Sequence, residues 1–345
     1  MSIKVKDLAA KLNLSPSTVS LVLNNRPGIS DATREKVRAA VIEMGYGELL
    51  SEESDGKKNL LFVVYRKHDA VPNSTPYFSQ VFSEIIEGME SQVKARGYQL
   101  LVSYVDEYTV QDEVMRIKKE DVEGILVLAT EMKEAEMDAF SDVSVPIVVV
   151  DNYMAHREFD CITINNEQGV HEVVEYFADM GHRDIGYLHV DHNANNFSER
   201  YYGFLRAMET FGLEMKKENL IQICTSGGDA VYQELKKKLS GWEKMPTAFF
   251  ADNDIIAICA MRVLRELGYR IPEDVSIAGF DNITLSEMLD PPLTSIQIPK
   301  YKMGVVAVNT LIDKIKEQVE GVIKVEVRTS LVVRESVRRM NRNGE

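Results

Sequence analysis

The stretch SPSTVSLVLN near the start of the chain sets Ser15, Ser17, Thr18 and Ser20 close together. Small hydroxyl side chains at that density let a helix approach phosphates and base edges and hydrogen-bond to either. Pro16 suits the first helical position, where its missing N–H costs nothing, with Ser15 before it as the N-cap. Val19, Val22 and Leu23 form an apolar stripe, so the hydroxyls face the other way. An ordinary capped helix has the same pattern, but it leaves two neighbouring features unexplained. One is the Asn24-Asn25-Arg26-Pro27-Gly28 stop, and the other is charge. Residues 1–46 hold Lys4, Lys6, Lys11, Arg26, Arg34, Lys36 and Arg38 against Asp7, Asp31, Glu35 and Glu43, while the whole chain carries a formal −14. A basic head on an acidic body excludes a surface that binds nucleic acid all over and leaves room for a local module.

Elsewhere the reactive residue types do not assemble into a site. His189-x-Asp191-His192 has metal-ligand types, yet it lies where a strand-like run gives way to a loop and no partner cluster accompanies it. A structural or solvated role is expected there. Asp252-x-Asp254 has the carboxylates for metal-assisted transfer to a sugar, but Asp254 is better read as the N-cap of the helix that follows. Gly227-Gly228 lacks the spacing of a phosphate loop and reads as a turn. Cys161, Cys224 and Cys259 are sparse and in no CxxC spacing, which fits neither a disulfide framework nor a zinc knuckle and suits a reducing compartment. No Ser/His/Asp or Cys/His set follows from the spacing. No enzymatic activity, cofactor or metal is expected.

The elements that must position these residues are legible in outline. With 345 residues, 45% hydrophobic and 27% charged, the chain has room for about two domains and a sizeable core. Its first residues lack the apolar centre of an export leader and no apolar run reaches membrane-span length, so a cytoplasmic setting is expected. Residues 1–46 read as three helices. Val5, Leu8, Ala9 and Leu12 stripe the first, Ser15 caps the second, and Ser30 caps a third in which Val37, Ala40, Val41 and Met44 share a face. The tight Leu12–Ser15 connection makes the first two a helix-turn-helix. Residues 47–58, GELLSEESDGKK, read as a polar linker. From residue 59, apolar runs such as LLFVVY (60–65), GILVL (124–128), IGYLHV (185–190) and AFFA (248–251) alternate with amphipathic helices. The expected fold is an all-α helix-turn-helix head plus an α/β core of two doubly wound parallel-sheet lobes, with a ligand cleft between them.

Several ordered blocks then carry a resemblance. They are VKDLAAKLNLSPSTVSLVLNNRPGISDATREKVRAAVIEMGY, PYF (76–78), VPIVVVD (145–151), GHRDIGYL (181–188), RYYGF (200–204), the 251–282 block ending in GFDN, and PPLTSIQIP (291–299). Together they resemble the lactose-repressor (LacI/GalR) family of transcription regulators, from residue 4 to about 335 with a break at the linker. The resemblance implies a homodimer whose paired heads read a pseudo-palindromic operator, and a periplasmic-binding-protein-like core that binds a small effector, with a sugar the leading class. It assigns DNA contacts to Lys6, Ser15, Pro16, Ser17, Thr18, Ser20, Leu21, Asn24, Asn25 and Arg26. It assigns effector contacts to Tyr77, Phe78, Asn165, Arg200, Asn253 and Asp281. The core, 59–345, is expected to divide into a first lobe of about 59–163 with 293–323 and a second of about 164–292 with 324–345. An effector that favours one core arrangement must change operator affinity by the factor by which the operator changes its own.

The departures are informative. Family members often place Arg or another polar residue where this chain has Leu21; leucine cannot donate, so an apolar contact, for example with a thymine methyl, is expected. The family's basic hinge segment is replaced by the acidic 47–58 stretch, where Leu49 and Leu50 could still wedge into a minor groove or the segment could act as a loose tether. The helices around Phe82–Ile86 and Met261–Leu267 are candidates for the dimer face. The tail ESVRRMNRNGE carries no leucine heptad and reads as a frayed polar end, which favours a dimer over a tetramer. The competing class is a solute-binding sensor without DNA function, against which the basic head speaks; a sugar-modifying enzyme ranks behind both.

Overall fold

The computed structural model describes residues 5–23, 29–43, 58–67, 76–117, 121–191, 194–224 and 228–340, with the backbone alone for 6, 7, 31 and 76–81. The chain divides into two compact units, residues 1–58 and 59–345.

In the first unit, helices α1 (Val5–Leu12), α2 (Pro16–Leu23) and α3 (Asp31–Glu43) enclose Leu8, Ala9, Val19, Val22, Val37, Ala40 and Val41. Asn13 turns the chain between α1 and α2 at φ 57, and the Leu14 amide closes back on the Ala9 carbonyl at 3.0 Å. Asparagine tolerates that left-handed conformation, so a short polar residue stands where a branched one would be strained. The Ser15 hydroxyl accepts the Thr18 amide at 3.0 Å and starts α2 as the sequence predicts. Met44, expected on the buried face of α3, and residues 47–57 of the linker, with Leu49 and Leu50, lie outside the described residues.

The second unit holds two six-stranded sheets. The first has the order β11-β5-β4-β3-β1-β2 and every pairing in it is parallel. Its strands are β1 (Asn59–Tyr65), β2 (Gln99–Val105), β3 (Gly124–Leu128), β4 (Ile147–Val150), β5 (Asp160–Ile164) and β11 (Lys324–Val327). The second has the order β12-β10-β9-β8-β6-β7, parallel except for the β10–β12 pair. It comprises β6 (Ile185–Val190), β7 (Leu220–Ile223), β8 (Ala248–Ala251), β9 (Ser276–Asp281), β10 (Thr294–Gln297) and β12 (Ser330–Val332). Strands covered by helices on both faces are continuous apolar runs, and β3, β4 and β8 are buried at every position.

Helices α4 (Pro76–Ala95), α5 (Val110–Ile117) and α11 (Lys300–Ile315) cover the first sheet. The second carries α6 (Asn166–Asp179), α7 (Asn195–Thr210), α8 (Gly228–Leu239), α9 (Asp254–Glu266) and the short α10 (Thr284–Glu287). The expected helix near 136 is a 3-10 segment, Glu134–Phe140. Helices α4 and α11 approach so closely that a Cβ on Gly88 would overlap the Tyr301 carbonyl and one on Gly304 the Ile85 carbonyl.

Strand pairing corrects the expected lobe boundaries. Residues 294–297 belong to the second sheet, where β10 lies between β9 and β12, and residues 324–327 belong to the first, where β11 pairs with β5. The chain therefore crosses between lobes near 165, 298 and 328. An apolar run states that a strand is buried but not which sheet receives it.

Phe82, Ile85, Met261, Val263 and Leu264 are buried inside their own lobes, so their helices would meet a partner only through the opposite faces. The exposed apolar residues instead include Leu101, Val102 and Tyr104 on the edge strand β2, with Tyr108 and Met115 beyond it. One further expectation changes: the tail is not frayed as far as residue 340. Ser336 donates to the Ile277 carbonyl at 2.6 Å and accepts the Thr294 amide at 2.8 Å, and the Met340 amide reaches the Met180 carbonyl at 2.7 Å. A polar composition concealed a strap hydrogen-bonded along the second lobe.

Candidate effector cleft and DNA-reading helix

On α2, Val19 and Val22 face the head's core, while Pro16 and Ser17 are exposed and Leu21 is 36% exposed. Thr18 and Ser20 are half-buried, and the Ser15 and Thr18 hydroxyls lie 2.8 Å apart. The helix thus presents hydroxyls and one leucine on the side away from the core. Lys6 lies on α1 with its side chain outside the described atoms, and Asn24, Asn25 and Arg26 lie outside the described residues.

In the body, the candidate cleft is built where chain crossings and strand ends meet. Arg200, projected from α7 and 3% exposed, is its central cation. Its Nε donates to Asn166 Oδ1 at 2.8 Å, one terminal nitrogen donates to the Asp252 carbonyl, and the other lies 3.4 Å from Asp281 Oδ1. The guanidinium plane sits 3.7 Å from the centre of the Phe280 ring, and Phe197 lies on it at 5.7 Å. A planar, delocalised cation meets all of these at once; an ammonium would not. Asp281 ends β9 at φ 102, a left-handed conformation that turns the chain out of the strand.

Asp151, directly after β4 and also left-handed at φ 64, supplies the first lobe's carboxylate. Thr130 donates to it at 2.6 Å and Asn196 of α7 at 3.0 Å. Burial pushes the Asp151 carboxyl up to about 6, opposed by those two hydrogen bonds and by Arg200, while Asp281 adds to the rise. Asn196 Oδ1 accepts from Asn166 at 3.0 Å, and Asn166 also reaches Glu199 at 2.7 Å. An unbroken polar chain runs from Thr130 through Asp151, Asn196, Asn166 and Arg200 to Asp281.

The remaining predicted contacts are placed differently. Asn253 and Asp254 exchange the roles expected of them in part: Asn253 is the N-cap of α9, accepting the Ile256 amide at 3.0 Å, and Asp254 is the first helical residue. Asp254 is wholly buried and accepts the Ile283 amide at 2.9 Å and the hydroxyls of Ser286 and Ser295 at 2.6 and 2.5 Å. Burial, with the neighbouring Asp281 charge, pushes its carboxyl up to about 7. Asn165 likewise caps α6 through Gln168 N at 2.8 Å, and its amide donates to Glu326 at 2.9 Å. Tyr77 and Phe78 lie in the first turn of α4, with side chains outside the described atoms. Spacing missed Asp151, Asn166 and Asn196, whose one signal was a carboxylate or amide at the end of an apolar run or the start of a helix.

The groups set aside earlier are held structurally. Asp252 accepts the Tyr187 hydroxyl, the Val190 amide at 2.7 Å, and lies 2.8 Å from His189 Nδ1. Among the described residues no three His, Cys, Asp or Glu side chains are grouped to hold a metal, and no helix is long and apolar enough to cross a membrane. His192 and Gly227 lie outside the described residues.

A helix-turn-helix unit followed by two parallel-sheet lobes with a polar cleft defines a regulator that couples DNA recognition to a small ligand. Residues 4–47 match the family model for bacterial regulatory proteins of the lacI family, and 174–337 match that of the periplasmic binding protein-like domain. A transcriptional repressor PurR from Vibrio vulnificus is 34% identical over 342 residues, 98% of this chain and 99% of its own. The PurR of Mannheimia succiniciproducens is 31% identical across 97% and 99%. The lac repressor dimer bound to operator and an anti-inducer shares the fold at TM-score 0.72 and 23% identity, covering 98% of this chain and 100% of that one. A CelR–cellobiose complex does so at 0.71 and 24%, covering 97% and 100%. The chain belongs to the lacI family of bacterial regulatory proteins. It is a ligand-responsive, DNA-binding transcriptional repressor and not an enzyme.

Proposed function

We propose that this repressor works in the cytoplasm as a homodimer whose paired heads read the two halves of a pseudo-palindromic operator, and that a small polyhydroxyl molecule, a sugar in the first instance, sets its operator affinity from the cleft. The observation that carries the effector reading is Arg200 on Phe280 beside Asp281. A fixed donor and a carboxylate acceptor lie together, the mixture that neighbouring hydroxyls need. Asn165 and Asn253 flank it as polar contacts, and Tyr77 and Phe78 are assigned to its first-lobe wall.

In the head, Ser15, Ser17, Thr18 and Ser20 supply hydrogen bonds to phosphates or bases, Leu21 supplies an apolar contact, and Lys6, Pro16, Asn24, Asn25 and Arg26 border them. Pairing is supported by the exposed apolar edge of β2, since an uncovered edge strand of that composition is a template for pairing with another chain. A solute sensor without DNA function is the alternative. Thermal shift of the full chain against a sugar and nucleoside library, followed by gel shifts on genomic fragments with each stabilising compound, separates the two. Specific DNA complexes that respond to the compound are expected. Compounds that stabilise the chain without any specific DNA complex would leave only the sensor.

A further inference from the structure

Lys300 is a cation in an unfavourable place. It is the first residue of α11, the end of a helix that repels positive charge, and it is 1% exposed. Among the described residues its ammonium finds no hydrogen-bond acceptor; its ion-pair partner is the Glu84 carboxylate of α4, at 3.6 Å, beyond hydrogen-bond reach. A buried charge so loosely held is costly unless a further group satisfies it.

Topology sets where that charge stands. Helix α4 leads from β1 to the parallel strand β2, so it begins at the carboxyl edge of the first sheet, the edge at which Asp151 follows β4. Gly88 lies against Tyr301, and Gln92 and Arg96 of α4 both reach Asn309 of α11 at 2.7 Å, so the two helices run in the same direction and α11 begins at that edge too. Ligands of parallel sheets bind outside this edge. Pro299, the N-cap of α11, supplies no side-chain acceptor to the first amides of the helix. Donors without acceptors are therefore gathered beside the cleft, the condition for holding an anion.

We propose that Lys300 takes an acidic group of the effector, a phosphate or a carboxylate, and that Glu84 is the internal counter-ion which this group displaces. The effector is then an acidic member of the polyhydroxyl class. The proposal rests on the reading of this cleft as the effector site for its regulatory meaning, but not for its test. Glu84 is free to give way, because its side chain is 40% exposed and water receives its charge. An incoming oxygen at hydrogen-bond distance replaces a looser pair with a charge-assisted bond. The cleft carboxylates do not compete, since Thr130 and Asn196 hold Asp151, and Arg200 faces Asp281.

The test is thermal denaturation of the full chain at pH 7.5 and constant ionic strength, with inorganic phosphate or acetate replacing chloride, and circular dichroism to verify folding. The wild type is expected to gain stability saturably with at least one of the two anions, and the larger gain identifies the acid. Glu84→Gln removes the internal competitor and is expected to bind that anion up to about fivefold more tightly, the scale of a partly exposed ion pair. Lys300→Met keeps the length and the apolar stem, and is expected to fold and to bind the anion at least about tenfold more weakly. Equal responses in all three proteins, or no response in both the wild type and Glu84→Gln, would overturn the proposal and leave Lys300 and Glu84 a structural pair. A library whose stabilising compounds never alter operator binding would instead overturn the effector reading and leave the anion site standing.

Discussion

Arg200 lies 3.7 Å over the ring of Phe280 and ties α6, the end of β8 and the end of β9 together, through Asn166, the Asp252 carbonyl and Asp281. Removing it takes the guanidinium away from Asp281, Asn166 and the Asp252 carbonyl at once. Arg200→Ala is expected to destabilise the body by about 3–5 kcal/mol, the usual cost of breaking a buried pair. Arg200→Lys keeps the charge but not the fork and is expected to cost roughly 1–3 kcal/mol in lost hydrogen bonds. Urea denaturation at pH 7.5 measures both. Equal midpoints for lysine and arginine would contradict the role given to the fork.

The buried Asp254 makes stability depend on pH in a stated direction. Its folded value, about 7, lies above its ordinary value of 3.8, so the folded state holds the proton more tightly. Its contribution is therefore greatest at low pH and is lost as the pH rises from about 4 through 7. The full linkage is on the order of 4 kcal/mol. Asp254→Asn is expected to flatten the stability profile between pH 5 and 8, while costing about 1–3 kcal/mol throughout because Ser286 or Ser295 loses its acceptor. A profile as steep as the wild type's would show that the titrating group lies elsewhere.

His182 acts with the opposite sign. Wholly enclosed between Thr247 and the Arg338 carbonyl, it is held down to about 4 by burial. The unfolded chain takes up the proton first, so stability is lost as the pH falls from about 6.5 towards 4, by up to roughly 3 kcal/mol. His182→Gln should remove that acid limb, which urea midpoints at pH 4.5 and 7 compare directly.

Gly88 and Gly304 let α4 and α11 touch backbone to backbone. Gly304→Ala is expected to cost about 1–3 kcal/mol by forcing the helices apart, more than the same change at Gly212, where a Cβ would meet no neighbour but φ is 61. Thermal denaturation ranks the two; no loss at Gly304 would mean that the helices slide freely.

Leu21, at 36% exposure, can change without opening the head's core. Leu21→Arg is therefore expected to fold normally and to select operators with guanine at the adjacent base pair, worth about 1–3 kcal/mol of discrimination. Operator selection from random duplexes reads this out, and an unchanged preference there would remove Leu21 from the interface.

How far the sequence reveals this molecule depends on which physical term decides each position. Burial on both faces writes itself as uninterrupted apolar letters, so NLLFVVY and AFFA announce their strands, and the Ser15 cap announces α2. Sheet membership does not write itself: TSIQ is as apolar in one lobe as it would be in the other, and its place is decided by pairing with β9 and by Ser295 reaching Asp254. Adjacent amide and carboxylate side chains are equally ambiguous. Asn253 and Asp254 both suit an N-cap, and only the three donors converging on Asp254 assign it inward. The family blocks point to Arg200 and Asp281, which the fold brings together, whereas Asp151 and Asn196 meet only because two distant segments are folded together.

The three passages of the chain between the sheets mean that neither lobe is a continuous piece of polypeptide. A gene fragment encoding residues 59–165 would lack β11, and one encoding 166–297 would lack β12 and the Ser336 strap, so each would carry an unfinished sheet edge. The two-lobed body of this repressor must therefore be inherited, truncated or transplanted whole, and a stop codon before β11 would cost both lobes at once.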